Sequence, residues 1–213
     1  TGVRCMPEAG HVTGRGFSCQ GNIMKSSRVW HAMKEAYEAN GRLPFAERLV
    51  TALEAAEAAG GDARGRQSAA LLVVSPELKP NSWEGRTIEL RIEDHRDPLA
   101  ELKRLLNLHR AYEWANRGDE LLTAKDLDGA SRAYTKSFEL APEIDELKYW
   151  AGVGLLPSRG RARGLDMVRE VFEKDPNWIQ VTKGLAKVNP SLVGAADLAE
   201  LLQGKDGRKR RGP

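Results

Sequence analysis

Cysteine is scarce: the 213 residues hold only Cys5 and Cys19. No C-x-x-C pair or histidine cluster stands beside them, which excludes a structural zinc site of ordinary spacing. The two thiols are compatible with a disulfide or with two free, partly buried side chains. No apolar run approaches the roughly 18 residues of a membrane-spanning helix. Nucleotide-binding loops are missing too. "GRGFSC" lacks the third glycine of a dinucleotide fingerprint, and neither a phosphate loop nor a G-x-S-x-G elbow occurs. His11, His31, His95 and His109 are scattered. "DHRD" around His95 reads as a capped, solvated helix start rather than a metal site. No metal and no organic cofactor is therefore expected.

What is present is the composition of a soluble globular protein, 41% hydrophobic and 30% charged, and the length suits two modest domains. The net charge is +3, and much of the excess lies in "KDGRKRRGP" at the end. That run reads as a basic disordered tail over 203–213, solubilising rather than specific for nucleic acid. No charged n-region or apolar h-region follows Thr1, so a targeting segment is either absent or upstream, and the compartment stays open. A chain beginning at Thr1 is either a piece of a longer reading frame or the product of a cleavage that exposes Thr1.

Along the chain, "HVTGRGFSCQGN" reads as strand, turn, strand. "SSRVWHAMKEAYEANG" places Val29, Met33 and Tyr37 on one helical face and stops near Gly41. A second helix runs from Pro44, a favoured first-turn residue, with Phe45, Leu49, Leu53 and Ala56 on one face, and ends at Gly60-Gly61. "SAALLVV" is a continuous apolar run, as expected of a strand covered on both sides. "TIELRIED" alternates Ile88, Leu90 and Ile92 with charged neighbours and so has one wet face. "SPELKPNSWEG" between them is a loop. At "DHRDPLAELKRLL" the period turns helical, with Asp97 as cap, Pro98 in the first turn, and Leu99, Leu102 and Leu106 on one face.

The rest, to about residue 202, reads as helices with an internal repeat. "AYTKSFELAP" and "LDMVREVFEKDP" align at a shift of 34 residues, pairing Ala130 with Gly164, Phe138 with Phe172 and Pro142 with Pro176. Trp114, Gly118, Leu121, Ala130, Tyr134 and Pro142 fall at tetratricopeptide spacings, where small residues let two helices approach closely. In the second copy Gly152 and Leu155 match Gly118 and Leu121, but Lys148 replaces the tryptophan. Two degenerate units and a last helix, "AADLAELL", make a short array.

"GGDARGRQS", residues 60–68, stands where the apolar strand begins. Its glycines permit a turn at positive φ, and Asp62, Arg64 and Arg66 set charges at the strand's mouth. Those charges serve either an orienting site or an ion pair that braces the loop.

Taken in order, "TGVRC…GHVTGRGFSCQGN", "FAERLVTALEAAEAAGGDARGRQSAALLVV" and "ELRIEDHRDPLAELKRLLNLHRAY" resemble the later two thirds of an uncharacterised family with the N-terminal-nucleophile (Ntn) hydrolase fold, similar in shape to γ-glutamyltranspeptidase. Residues 113–202 resemble the segment that often follows that family, which carries a peptidoglycan-binding name. The resemblance implies an α+β chain: a partial αββα sandwich over 1–112, then an all-α tetratricopeptide-like domain over 113–202.

The resemblance implies an amidohydrolase or peptidase acting on an amide or peptide-like small molecule, with peptidoglycan as a ligand of the helical part. It is compatible with a homo-oligomer. The family's first strands, which carry the nucleophile, lie upstream of Thr1, so the fragment is expected to be inactive. Thr1 is the rival nucleophile. In either case a free α-amine takes the side-chain proton as the hydroxyl attacks an amide carbonyl. Asn22 then stands where an oxyanion could be stabilised, while Asp62, Arg64, Arg66 and Gln67 stand where a substrate amine or carboxylate could be held. The alternative is a non-catalytic shell of the same shape joined to a helical protein-interaction module.

Overall fold

The computed structural model describes residues 5–81 and 83–203. Thr1 and the basic run after Gln203 lie outside the described residues. The chain is mixed α+β, and its contacts divide it into two compact units, Thr1–Leu106 and Asn107–Pro213. No helix among the described residues is long and apolar enough to cross a membrane.

Unit 1 opens with the antiparallel hairpin β1 (Gly10–Gly14) and β2 (Phe17–Gly21). Two residues join the strands, and the second, Gly16, sits at φ +79°, where a side chain would be strained. Helices α1 (Arg28–Ala39) and α2 (Phe45–Ala58) follow. α1 buries Val29 and Trp30. Arg48 of α2 ties the helices together: its Nε donates to the Tyr37 carbonyl at 2.5 Å while its guanidinium lies 3.5 Å above the Tyr37 ring. Pro44 stands just before α2 as its N-cap rather than inside it. The buried face of α2 also differs from the expected one: Ala46, Val50 and Ala52 are buried, whereas Phe45 is exposed. Ala46, Leu49, Val50 and Leu53 keep the helical spacing, and Phe45 stands in the first turn, at the open end of the helix's apolar side.

The second sheet pairs β3 (Ala69–Val74) with β4 (Arg86–Ile92), antiparallel, with an irregularity at Val73/Val74. β4 buries Ile88 and Ile92, and its Glu89 pairs outward with Arg86 and Arg91. β3 departs from expectation. It is not covered on both sides: Leu71 is buried, while Leu72 is 54% and Val74 59% exposed. Its apolar run has the composition of a two-faced buried strand, but only one face finds cover among the described residues. That covered face joins Ala46 and Val50 of α2 and Leu102 and Leu106 of α3 (Pro98–Thr123) in one core. As read from the sequence, Asp97 caps α3, its Oδ1 accepting from the Ala100 N–H at 3.3 Å.

α3 runs for 26 residues without a break, and the division between the units falls inside it. No glycine or proline interrupts 99–117 to mark that division in the sequence. Unit 2 adds α4 (Leu127–Leu140), α5 (Asp145–Leu155), α6 (Arg161–Lys174), α7 (Trp178–Val188) and α8 (Ala195–Gln203). α4 and α6 begin and end 34 residues apart. The repeat holds at the level of contacts: Gly118 lies against the ring of Tyr134, and Gly152, at the same register, lies against Val168. A Cβ on Gly164 would come within 2.6 Å of the Gly152 carbonyl oxygen, so α5 and α6 pack backbone to backbone. The core around them contains Tyr149, Val153, Leu165, Val168, Val171 and Val193.

Candidate functional site

The loop from Gly60 to Ser68 forms the rim of a cleft of about 600 Å³ in unit 1. Three glycines shape it. Gly60, Gly61 and Gly65 take φ of +122°, +62° and +104°, and the Gly60 and Gly61 N–H groups close α2 by donating to the carbonyls of Glu57 and Ala56. The loop is then strapped to the segment after β2. Lys25 N–H donates to the Gly61 carbonyl at 3.0 Å, Ala63 N–H to the Ile23 carbonyl at 2.9 Å, and Met24 and Asp62 form an antiparallel bridge.

The loop's charges are spoken for. Asp62 Oδ1 accepts from the Arg64 backbone N–H at 2.8 Å and from Arg64 Nε at 3.0 Å, and Oδ2 accepts from Nη2 at 2.7 Å. The hydrogen bonds from Arg64 hold the Asp62 carboxyl down at about 2. In this state it is a fixed negative charge rather than a proton acceptor at neutral pH. Arg66 reaches back to α2, donating from Nε to Glu57 Oε1 at 2.6 Å, with Asp97 at 3.9 Å.

Gln67 is held by its backbone, its carbonyl accepting from His95 N–H at 2.9 Å. Its side-chain amide makes no hydrogen bond within the described residues and lines the cleft. Asn22 lies elsewhere: its Oδ1 accepts from Met6 N–H at 3.3 Å, and it borders a separate recess with Cys5, His11 and Gln20.

Asp62, Arg64, Arg66 and Gln67 are thus brought together and Asn22 is not. Thr1 is outside the described residues. The cleft also holds Gln20, Ser68 and Asp94, with Met24 and Met33 as apolar lining. Asp94 makes no ion pair among the described residues, which leaves one uncompensated carboxylate beside two closed guanidinium–carboxylate pairs. Its signal in "IEDHRD" was an acid just past the end of a strand. Met33 carried only the signal of a core helix position.

No histidine lines this cleft, and among the described residues no group of three or more potential ligands could hold a metal ion. Cys19 is buried and Cys5 exposed, both free; burial pushes the Cys19 thiol up, away from the thiolate. The arrangement can therefore hold and orient a polar ligand, an ammonium group at Asp94 above all. The side chains that line it include no nucleophile with a base at hand.

Residues 1–102 match the model of a family of unknown function, DUF1028. The crystal structure of a protein from Silicibacter pomeroyi that carries the same DUF1028 designation is similar: 36% identical, with a TM-score of 0.41 over 50% of this chain. The chain spans 43% of that protein's length. No curated protein matches the sequence.

Proposed function

We propose that unit 1 is the helix-covered part of an Ntn-type amide hydrolase with an αββα core. The observation that supports this most is the state of β3: an apolar strand with Leu72 and Val74 bare on one face and with β4 as its partner on one edge alone among the described residues. Among the described residues β2 likewise pairs only with β1. Strands with unused edges and an unused apolar face call for further sheet.

In this reading the added strands carry the attacking Thr, Ser or Cys, placed before Thr1, or Thr1 is itself exposed by cleavage. The free α-amine of that residue takes the proton as the hydroxyl or thiol attacks the amide carbonyl, passes it to the nitrogen as the C–N bond breaks and the amine leaves, and water then hydrolyses the acyl-enzyme and restores the free residue. Asp94, Gln67 and Arg66 hold the polar end of the substrate, while the Asp62–Arg64 pair keeps the loop in shape. Unit 2 is read as a tetratricopeptide-like array that binds an extended ligand, with peptidoglycan peptide as the candidate.

The closed ion pairs of the cleft favour a second reading, a shell of the same shape that binds without turning over. Two measurements separate the readings. Top-down mass spectrometry of the protein isolated from its source gives the natural first residue, and a library of acyl amides assayed for amine release gives activity. A Thr, Ser or Cys at the mature N-terminus together with amine release supports the hydrolase. Amide binding with no release supports the shell. For unit 2, failure of the chain to sediment with purified peptidoglycan at low salt removes the wall ligand.

A further inference from the structure

We propose that the groove between α7 and α8 is a docking site for an acidic amphipathic helix of a partner protein. The groove has a volume of about 560 Å³, and its lining is largely apolar: Ala186, Pro190, Ala195, Leu198 and Leu202, with Gly184 opening one wall. A Cβ added at Gly184 would meet nothing within 4 Å, so the space there is unfilled. Apolar surface continues around it. Val188 is 81% exposed, and Val181 and Leu202 are also exposed. Of the residues of α7 only Thr182 is fully buried. An apolar strip of this kind at the end of a helical array is the surface on which a further helix packs.

The charge on the groove selects the occupant. Lys183 and Lys187 line it from α7, one helical turn apart. Neither makes an ion pair or hydrogen bond among the described residues, and α7 contains no acid. The carboxylates of α8 are already engaged: Arg161 binds Asp197 at 2.7 Å and Glu200 at 2.8 Å, and Arg169 stands 3.6 Å from Glu200. The unbalanced charge at the groove is therefore positive. Residues 204–213, which follow α8 in sequence, add five cations against Asp206, so that stretch is of the wrong sign to fill it.

A partner helix with leucines toward the floor and carboxylates three or four residues apart meets both requirements. Residues at that spacing on a helix stand about 5–6 Å apart, matching the two lysines. A nucleic-acid backbone would satisfy the lysines and leave the apolar floor empty.

The test uses the full chain and a labelled helical peptide of about 16 residues built from Leu, Ala and Glu, beside its Glu→Gln counterpart and a single-stranded oligonucleotide. The Glu peptide is expected to bind, to weaken as salt rises from about 50 to about 300 mM, and to lose about tenfold or more in affinity to Lys183→Glu/Lys187→Glu. Gly184→Leu, which fills open space, is expected to block it while leaving the thermal melt unchanged or slightly raised. Because these variants keep the basic end of the chain, a loss assigns binding to the groove. Equal binding of the Gln peptide, tighter binding of the oligonucleotide, or Glu-peptide binding indifferent to both variants overturns the proposal.

Discussion

The carboxylate of Asp62 receives three hydrogen bonds from Arg64, two residues further on, through the backbone N–H, Nε and Nη2. A pair so close in sequence fixes the turn in which it lies. The Asp62 side chain stays a quarter exposed and that of Arg64 mostly exposed, so the brace shapes the cleft more than it stabilises the fold.

The pH dependence of that brace follows from its sign. The Asp62 carboxyl is lowered from 3.8 to about 2. Its contribution is therefore complete above about pH 5 and is lost as the pH falls through the folded value of about 2. Asp62→Asn is expected to lower the Tm by a few degrees at most at pH 7, and the difference from the parent is expected to shrink steadily below about pH 4. Parallel thermal melts across that range check it; a difference as large at pH 2 as at pH 7 contradicts an ionic brace.

Gly164 and Gly184 offer a matched pair of substitutions. A Cβ on Gly164 meets the backbone oxygen of Gly152 at 2.6 Å and Leu155 Cβ at 3.0 Å, and neither can step aside without moving a helix. Gly164→Ala is expected to cost about 1–3 kcal/mol. Gly184→Ala meets nothing and is expected to be neutral or to gain up to about 1 kcal/mol from helix propensity. Denaturant melts of the two variants decide whether α5 and α6 pack as closely as described.

The helices, the first hairpin and the two later strands were legible because each carries a local signal: Gly16 at the turn, Pro44 and Asp97 at helix starts, Gly118 and Gly152 at a fixed interval of 34. The wet face of β3 was not. "SAALLVV" has the same letters whether or not a second layer lies across it, since a sequence reflects the cover of the whole molecule.

The candidate site was half legible. The glycines announced a turn and the charges a rim. That Arg66 would close on Glu57, nine residues back on α2, and that Asp94 would be left unpaired, are tertiary facts with no local pattern. Asn22 came to the site through the family resemblance alone, and it falls on a different recess.

Leu102 and the pair Leu72 and Val74 should respond in opposite ways. Leu102 is 0% exposed at the centre of the unit 1 core, and Leu102→Ala is expected to cost about 2–5 kcal/mol. Replacing Leu72 and Val74 with threonine in the 213-residue chain is expected to change stability by no more than about 0.5 kcal/mol per site and to reduce binding of an apolar dye. Chemical melts and dye fluorescence read the two effects.

Within the hydrolase reading, Arg66→Ala and Gln67→Ala are expected to raise KM about 3- to 30-fold with kcat nearly unchanged, because these groups would hold the substrate without touching the bond that breaks. Steady-state kinetics on an amide that the natural protein turns over is the check. Unchanged KM in both variants removes them from the site.

Amide hydrogen exchange of β2 and β3 is the most direct measurement, carried out on the 213-residue chain and on the protein isolated from its source. In the chain, the β3 amides not bonded to β4 and the β2 amides not bonded to β1 are expected to exchange rapidly. In the natural protein the same amides are expected to be protected by neighbouring strands. Fast exchange at those positions in both forms contradicts a β core that needs further sheet, and the hydrolase reading falls with it.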